Sequence, residues 1–252
     1  MTTQDALFKY TLRLADNALI LGHRLGEWSS WAPILEEDLA LTNIALDLLG
    51  RAQALLKYAA VIENKGRTDD DLAYRRAERQ FLNVQLVEQP NGDFAFTIAR
   101  QFFYSSFELC LFEELSKSSD EMLAALSVKT LKEVKYHWRH AYDWLQRLGD
   151  GTEESHARMQ KALDDLWMYT GELFEIDGVE LTLIEETIGV DNSKLRTKWD
   201  SLISTAISEA TLQRPLDGYM QTGGRNGIHT ESLGFALAEM QYLPRAYPDA
   251  KW

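Results

Sequence analysis

A single cysteine, Cys110, leaves no partner for an intrachain disulfide, so the chain must stabilise itself by burial, and this usage suits a reducing cytoplasm. Proline is scarce too. Five prolines and fifteen glycines interrupt 252 residues, and they cluster between periodic segments, which makes long helices the natural reading. The start, Met1-Thr2-Thr3-Gln4-Asp5, lacks a basic stretch ahead of an apolar run, and no later run approaches the roughly 20 apolar residues of a membrane span. A soluble, untargeted protein is expected. Positive charge is in short supply: 26 Lys and Arg face 39 Asp and Glu, a formal charge of -13 that repels phosphate backbones and argues against a nucleic-acid partner. No nucleophile elbow surrounds any serine, and Cys110 lies in an apolar stretch, so covalent catalysis has no candidate.

What is present is ordinary for a large globular core, 45% hydrophobic and 26% charged. Apolar spacing predicts a helix over Gln4 to Leu21, ended near Gly22, and a second from after Pro33 to Asn64. Glu36, Glu37 and Asp38 fall in the first turn of the second, where the helix dipole favours negative charge. Asp69-Asp70-Asp71 is read as the cap of a third helix through about Val87. The stretch from Phe94 to Leu115 is apolar on every side, the mark of a helix buried at a bundle centre. Asp120 to Gly149 and a helix capped by Thr152 follow. Between Ile176 and Asn192, Val179, Leu181 and Leu183 alternate as in a short strand, with a loop carrying a helical turn as the other reading. A helix over about Ser193 to Leu212, a glycine-rich loop and a last helix from Glu231 to Leu243 complete the chain. One all-α domain over 1–252 is expected, a four-helix bundle with peripheral helices, in which 213–252 forms the loop, a short helix and an aromatic docking tail from Tyr242 to Trp252.

The long helices carry carboxylates and histidines at nearly the spacing of a di-iron bundle, in which two helices each give one carboxylate and two give Glu-x-x-His. Residues i and i+3 share a face, so that spacing aims both ligands at one point. Asp16 and Glu108 supply the single carboxylates; Asp47 and the pair Glu133 and His137, with His140 one turn on, supply the motif helices. Two ligands are wrong. Gly50 stands where Asp47 needs its histidine, and Val134 stands where the motif ending at His137 needs its carboxylate. A buried polar network is the expected use of these residues, with Arg51 as the salt-bridge partner of Asp47. A mononuclear site from Glu108, Glu133 and His137 is the metal-binding alternative. The one literal Glu-x-x-His, Glu153 to His156, sits in a first helical turn where acidic residues serve as caps.

Two further features suit anions. Arg75, Arg76 and Arg79 form the densest basic cluster, and arginine forks bind phosphate; a solvated face neutralised by Asp69, Asp70, Asp71 and Glu78 is the competing reading. Gly223-Gly224-Arg225-Asn226-Gly227 offers an anion cradle or a surface loop, without the lysine and hydroxyl residue that end a P-loop.

The strings Glu36-Glu37-Asp38 with Asn43 to Leu48, Arg147 to His156, and His229-Thr230-Glu231 through Ala238-Glu239-Met240-Gln241 resemble the C-subunit family of phenylacetyl-CoA epoxidases, over essentially the whole chain. That resemblance implies a ferritin-like fold and a structural role in a multicomponent NADPH-dependent monooxygenase of aerobic phenylacetate degradation. It implies no cofactor in this chain: di-iron lies in a homologous catalytic subunit that epoxidises the aromatic ring of phenylacetyl-CoA, and flavin and iron-sulfur centres lie in a reductase. A coenzyme A substrate also favours a contact between its phosphates and the arginine cluster; the Asp177-Gly178-Val179 turn is a further expected contact, for an adenine or pantetheine arm, on the ground of an accessible backbone alone. The alternative is an oxygenase or oxidase that binds iron in this chain itself, and a third reading is a free-standing binding protein for a CoA ester.

Overall fold

A computed structural model describes every residue except Asp249, Lys251 and Trp252, so the end of the expected docking tail lies outside the described residues. The described residues are all-α, and no strand forms among them. Their contacts gather into two compact units where the sequence reading has one domain: Met1–Pro90 with Thr222–Trp252, and Asn91–Gln221.

The first unit is built on α1 (Thr3–Gly26) and α2 (Leu35–Glu63). Thr2 and Asp5 form a capping box at the start of α1, satisfying two otherwise orphaned backbone N–H groups. The pair is antiparallel, since Gln4 Nε2 near the start of α1 donates to the Ile62 carbonyl near the end of α2 at 2.6 Å. Ile20, Leu21 and Leu25 of α1 and Leu41, Ile44 and Leu48 of α2 are fully buried, each contributing roughly 1.5–3 kcal/mol by leaving water. Gly22 does not end α1, as the sequence suggested. A Cβ there would lie 3.1 Å from Leu49 Cγ and 3.3 Å from the Ala45 carbonyl, so glycine lets the two helices approach. Asn64, left-handed at φ 52°, closes α2. By length and composition alone α2 would pass for a membrane span, with a best-window hydropathy of 1.2; in the fold it lies along α1.

The expected third helix through Val87 is broken into α3 (Asp69–Tyr74), a single 3₁₀ turn (Glu78–Gln80) and α4 (Gln85–Glu88). Side chains of α1 compete for its backbone: Leu82 N–H donates to Asp16 Oδ2 and Val84 N–H to Asn17 Oδ1, both at 2.8 Å. Thr68, not the aspartate run, caps α3, and Asp71 completes the box. After the second unit the chain returns through a 3₁₀ turn (Gly224–Asn226) to α10 (Glu231–Met240) and α11 (Tyr242–Ala246), so the expected last helix is split at Gln241.

The second unit centres on α5 (Phe94–Leu115), buried round most of its circumference as the sequence requires. It pairs antiparallel with α6 (Glu121–Gly149), Phe94 meeting Trp144 edge-on at 4.9 Å. The buried stripe of α6 runs Leu123, Ser127, Thr130, Val134, His137, Ala141 and Leu145, a 3–4 spacing that makes one continuous face. Against α5 also stand α7 (Glu153–Trp167) and α9 (Asn192–Glu209), and α8 (Gly178–Glu185) lies between those two in sequence. Trp167 and Trp199 stack at 5.8 Å, and Trp199 Nε1 donates to the Phe103 carbonyl at 3.1 Å. The strand-like alternation at Val179, Leu181 and Leu183 becomes α8, because Asp177 and Glu180 form a capping box that nucleates it.

Candidate functional site

The six positions expected around two metals fall three to each unit. In the first, Asp16 of α1 is wholly buried, but a guanidinium occupies its oxygens. Arg76, 3% exposed, forms a bidentate pair with it, one arm at 2.9 Å and the other through Nη2 and Oδ1. The remaining donors of Arg76 go to the Leu72 and Gln80 carbonyls, and its carbon lies 4.2 Å from the Phe81 ring centre. With Leu82 N–H also on Oδ2, Asp16 is satisfied without a cation of another kind. Asp47 is half-buried. Gly50 is exposed, and a Cβ built on it meets nothing within 4 Å.

In the second unit Glu108 and His137 are buried and Val134 is fully buried, 0% exposed, on the same stripe as His137. Glu133 lies beside that stripe, half-buried, with Lys129 Nζ at 3.6 Å from its carboxylate. His140 is half-buried one turn on. Among the described residues, no three His, Cys, Asp or Glu side chains come together as a metal-ligand set. The donor set therefore does not fit two irons. Arg76 already neutralises Asp16, and a valine methyl group stands at the missing carboxylate.

The anion candidates divide. Arg76 is spent inside the fold, whereas Arg75 and Arg79 are exposed, Arg75 lying 3.3 Å from Asp71. Asp177 accepts from Val179 N–H at 2.8 Å as the cap of α8, Val179 is buried and Gly178 is exposed. The glycine loop is a packing element: a Cβ at Gly224 would fall well inside contact with the Asn83 carbonyl, and one at Gly227 inside contact with the Arg79 carbonyl. Arg225 between them is buried, and its carbonyl accepts from Arg13. His156 of the literal Glu-x-x-His bonds the Gly149 carbonyl at 2.7 Å, closing the end of α6.

One polar centre escaped the spacing argument because its partners are 141 residues apart. His229 Nδ1 meets Glu88 Oε2 at 2.8 Å and its Nε2 meets the Phe81 carbonyl at 2.9 Å, with both side chains fully buried. A carbonyl only accepts, so Nε2 carries a proton. Glu88 also accepts from Asn83 Nδ2, Thr230 N–H and Thr230 Oγ1, so both of its oxygens are engaged inside the fold. Arg24 adds donors to the Glu88 and Ser232 carbonyls. Together they fix the returning chain to the first unit.

Residues 1–252 match the family model described as phenylacetic acid catabolic protein. The chain belongs to that family. The C subunit of 1,2-phenylacetyl-CoA epoxidase from Escherichia coli (strain K12) is 52% identical to it over 248 residues, covering 98% of this chain and the whole of that relative. The resemblance carried by the three sequence strings is thus shown, and the all-α fold agrees with it. In this chain the helices that would carry ligands are present, while Asp16 and Val134 serve ion pairing and packing.

Proposed function

We propose that this chain is the C-type, non-catalytic subunit of a phenylacetyl-CoA epoxidase, supporting a homologous di-iron subunit that epoxidises the aromatic ring in phenylacetate degradation. The observation that carries the reading is the Arg76–Asp16 pair: a buried guanidinium takes the place a cation would need, and losing either partner leaves an uncompensated charge. Val134 at 0% exposure supports it from the second unit. The relative's designation as a subunit implies companion subunits; the proposal takes these to be a catalytic oxygenase subunit and a reductase with flavin and iron-sulfur centres fed by NADPH. Contact with coenzyme A phosphates passes to the exposed Arg79, since Arg76 has no face left for a ligand and Arg75 is paired with Asp71.

The test is reconstitution. Purified companion subunits should epoxidise phenylacetyl-CoA only when this chain is added, and this chain alone should show no turnover with reductase and NADPH. Turnover by this chain without the companion oxygenase would establish the alternative, an iron oxygenase using Glu108, Glu133 and His137.

A further inference from the structure

Two open concavities on the first unit, of about 470 and 390 Å³, share three side chains: His23 of α1 and Asp70 and Tyr74 of α3. One lobe runs between α1 and α2 over Leu46, Leu49 and Gly50. The other runs beneath the C-terminal tail, along Leu243 and Tyr247. Gly50 keeps the first lobe open, because the space its side chain would fill is empty.

The groove combines apolar walls with polar groups that nothing in the fold satisfies. Leu46, Leu243 and Tyr247 stand 61%, 49% and 60% exposed, an arrangement typical of surfaces that another molecule covers. His23 Nε2 is buried without a hydrogen-bond partner, and burial holds this imidazole below its ordinary range, hence neutral. The cations here already have partners: Lys57 faces Asp69 at 3.8 Å, and Arg75, which lines the tail lobe, faces Asp71 and the Pro248 carbonyl. Among the described residues, Asp70 and Glu239 have no cationic partner. Burial first, and then the charges of Asp70 and Asp69, raise the Tyr74 phenol, and Asp70 and Glu239 line the tail lobe beside it. Two unpaired carboxylates, two phenol rings and aliphatic walls select a cation on an apolar stem, as a lysine or arginine side chain presents.

We propose that this two-lobed groove is the seat of a segment from a companion subunit, with a Lys or Arg laid across Tyr74 and Tyr247 between Asp70 and Glu239, and with apolar neighbours against Leu46 and Leu243. The proposal rests on the subunit reading above.

The test uses the full chain and its purified companion subunits. Asp70→Asn with Glu239→Gln should weaken assembly about tenfold or more at low salt, with the difference shrinking at high salt. Asp164→Asn with Glu185→Gln, on the second unit, should leave assembly unchanged, and thermal melts check that each variant is folded. Independently of any variant, nitration of Tyr74 and Tyr247 should be suppressed in the complex relative to the free chain. Undiminished assembly of the groove variant, or equal nitration in both states, overturns the seat while the subunit reading stands. Failure of the unaltered chain to assemble overturns both.

Discussion

Asp16 and Arg76 show how one charged pair changes the meaning of a helix. Read along α1, Asp16 is an inward carboxylate available to a metal; in the fold it is half of a buried ion pair whose other half comes from a segment 60 residues on. Asp16→Ala strands the guanidinium, and a loss of about 3–5 kcal/mol in urea denaturation is expected. A loss below about 1 kcal/mol would mean that Arg76 reaches water instead. The Glu88–His229 pair makes a spectroscopic prediction: ¹⁵N NMR should find Nε2 of His229 protonated, because it faces a carbonyl, which only accepts. A ring protonated on Nδ1 alone would contradict that assignment. Burial pushes the Cys110 thiol from 9.0 up to about 11. The unfolded chain therefore sheds this proton first as pH rises, so Cys110 costs stability between about pH 9 and 11 and nothing below. Cys110→Ala should flatten that part of the alkaline stability curve.

Among elements, the long helices were legible because their signals are local and dense. The apolar run from Phe94 fixes α5, and Asp120 and Thr152 cap α6 and α7 as the sequence implies. The misreadings share a cause, which is tertiary contact overriding a local pattern. Gly22 resembles a stop but is a close-packing residue, and the segment after α3 resembles a helix but gives its N–H groups to Asp16 and Asn17. Half of the pseudo-site was legible too: Val134 does lie on the inward stripe, whereas Gly50 opens onto a surface groove. Two glycine substitutions separate these roles. Gly50→Ala, at an open helical position, should stabilise by about 0.5–1 kcal/mol. Gly224→Ala, against the Asn83 carbonyl, should destabilise by about 1–3 kcal/mol. Equal effects in denaturant titrations would contradict the local geometry.

For the molecule as a whole, the expectation drawn from charge and composition was narrow: an acidic all-α protein with no reason to bind nucleic acid. The proposed function rests instead on a motif present in outline with two ligand positions unfilled, together with a family match over the full chain. A bundle that retains buried carboxylates while pairing or displacing them can keep the shape of an oxygenase and leave oxygen chemistry to a companion. The decisive measurement is iron per chain on this subunit, separated from its companions under native conditions and dialysed against a chelator. Far less than one iron per chain is expected here, with iron retained on the companion oxygenase. Near-stoichiometric iron held by this chain would contradict the proposed function.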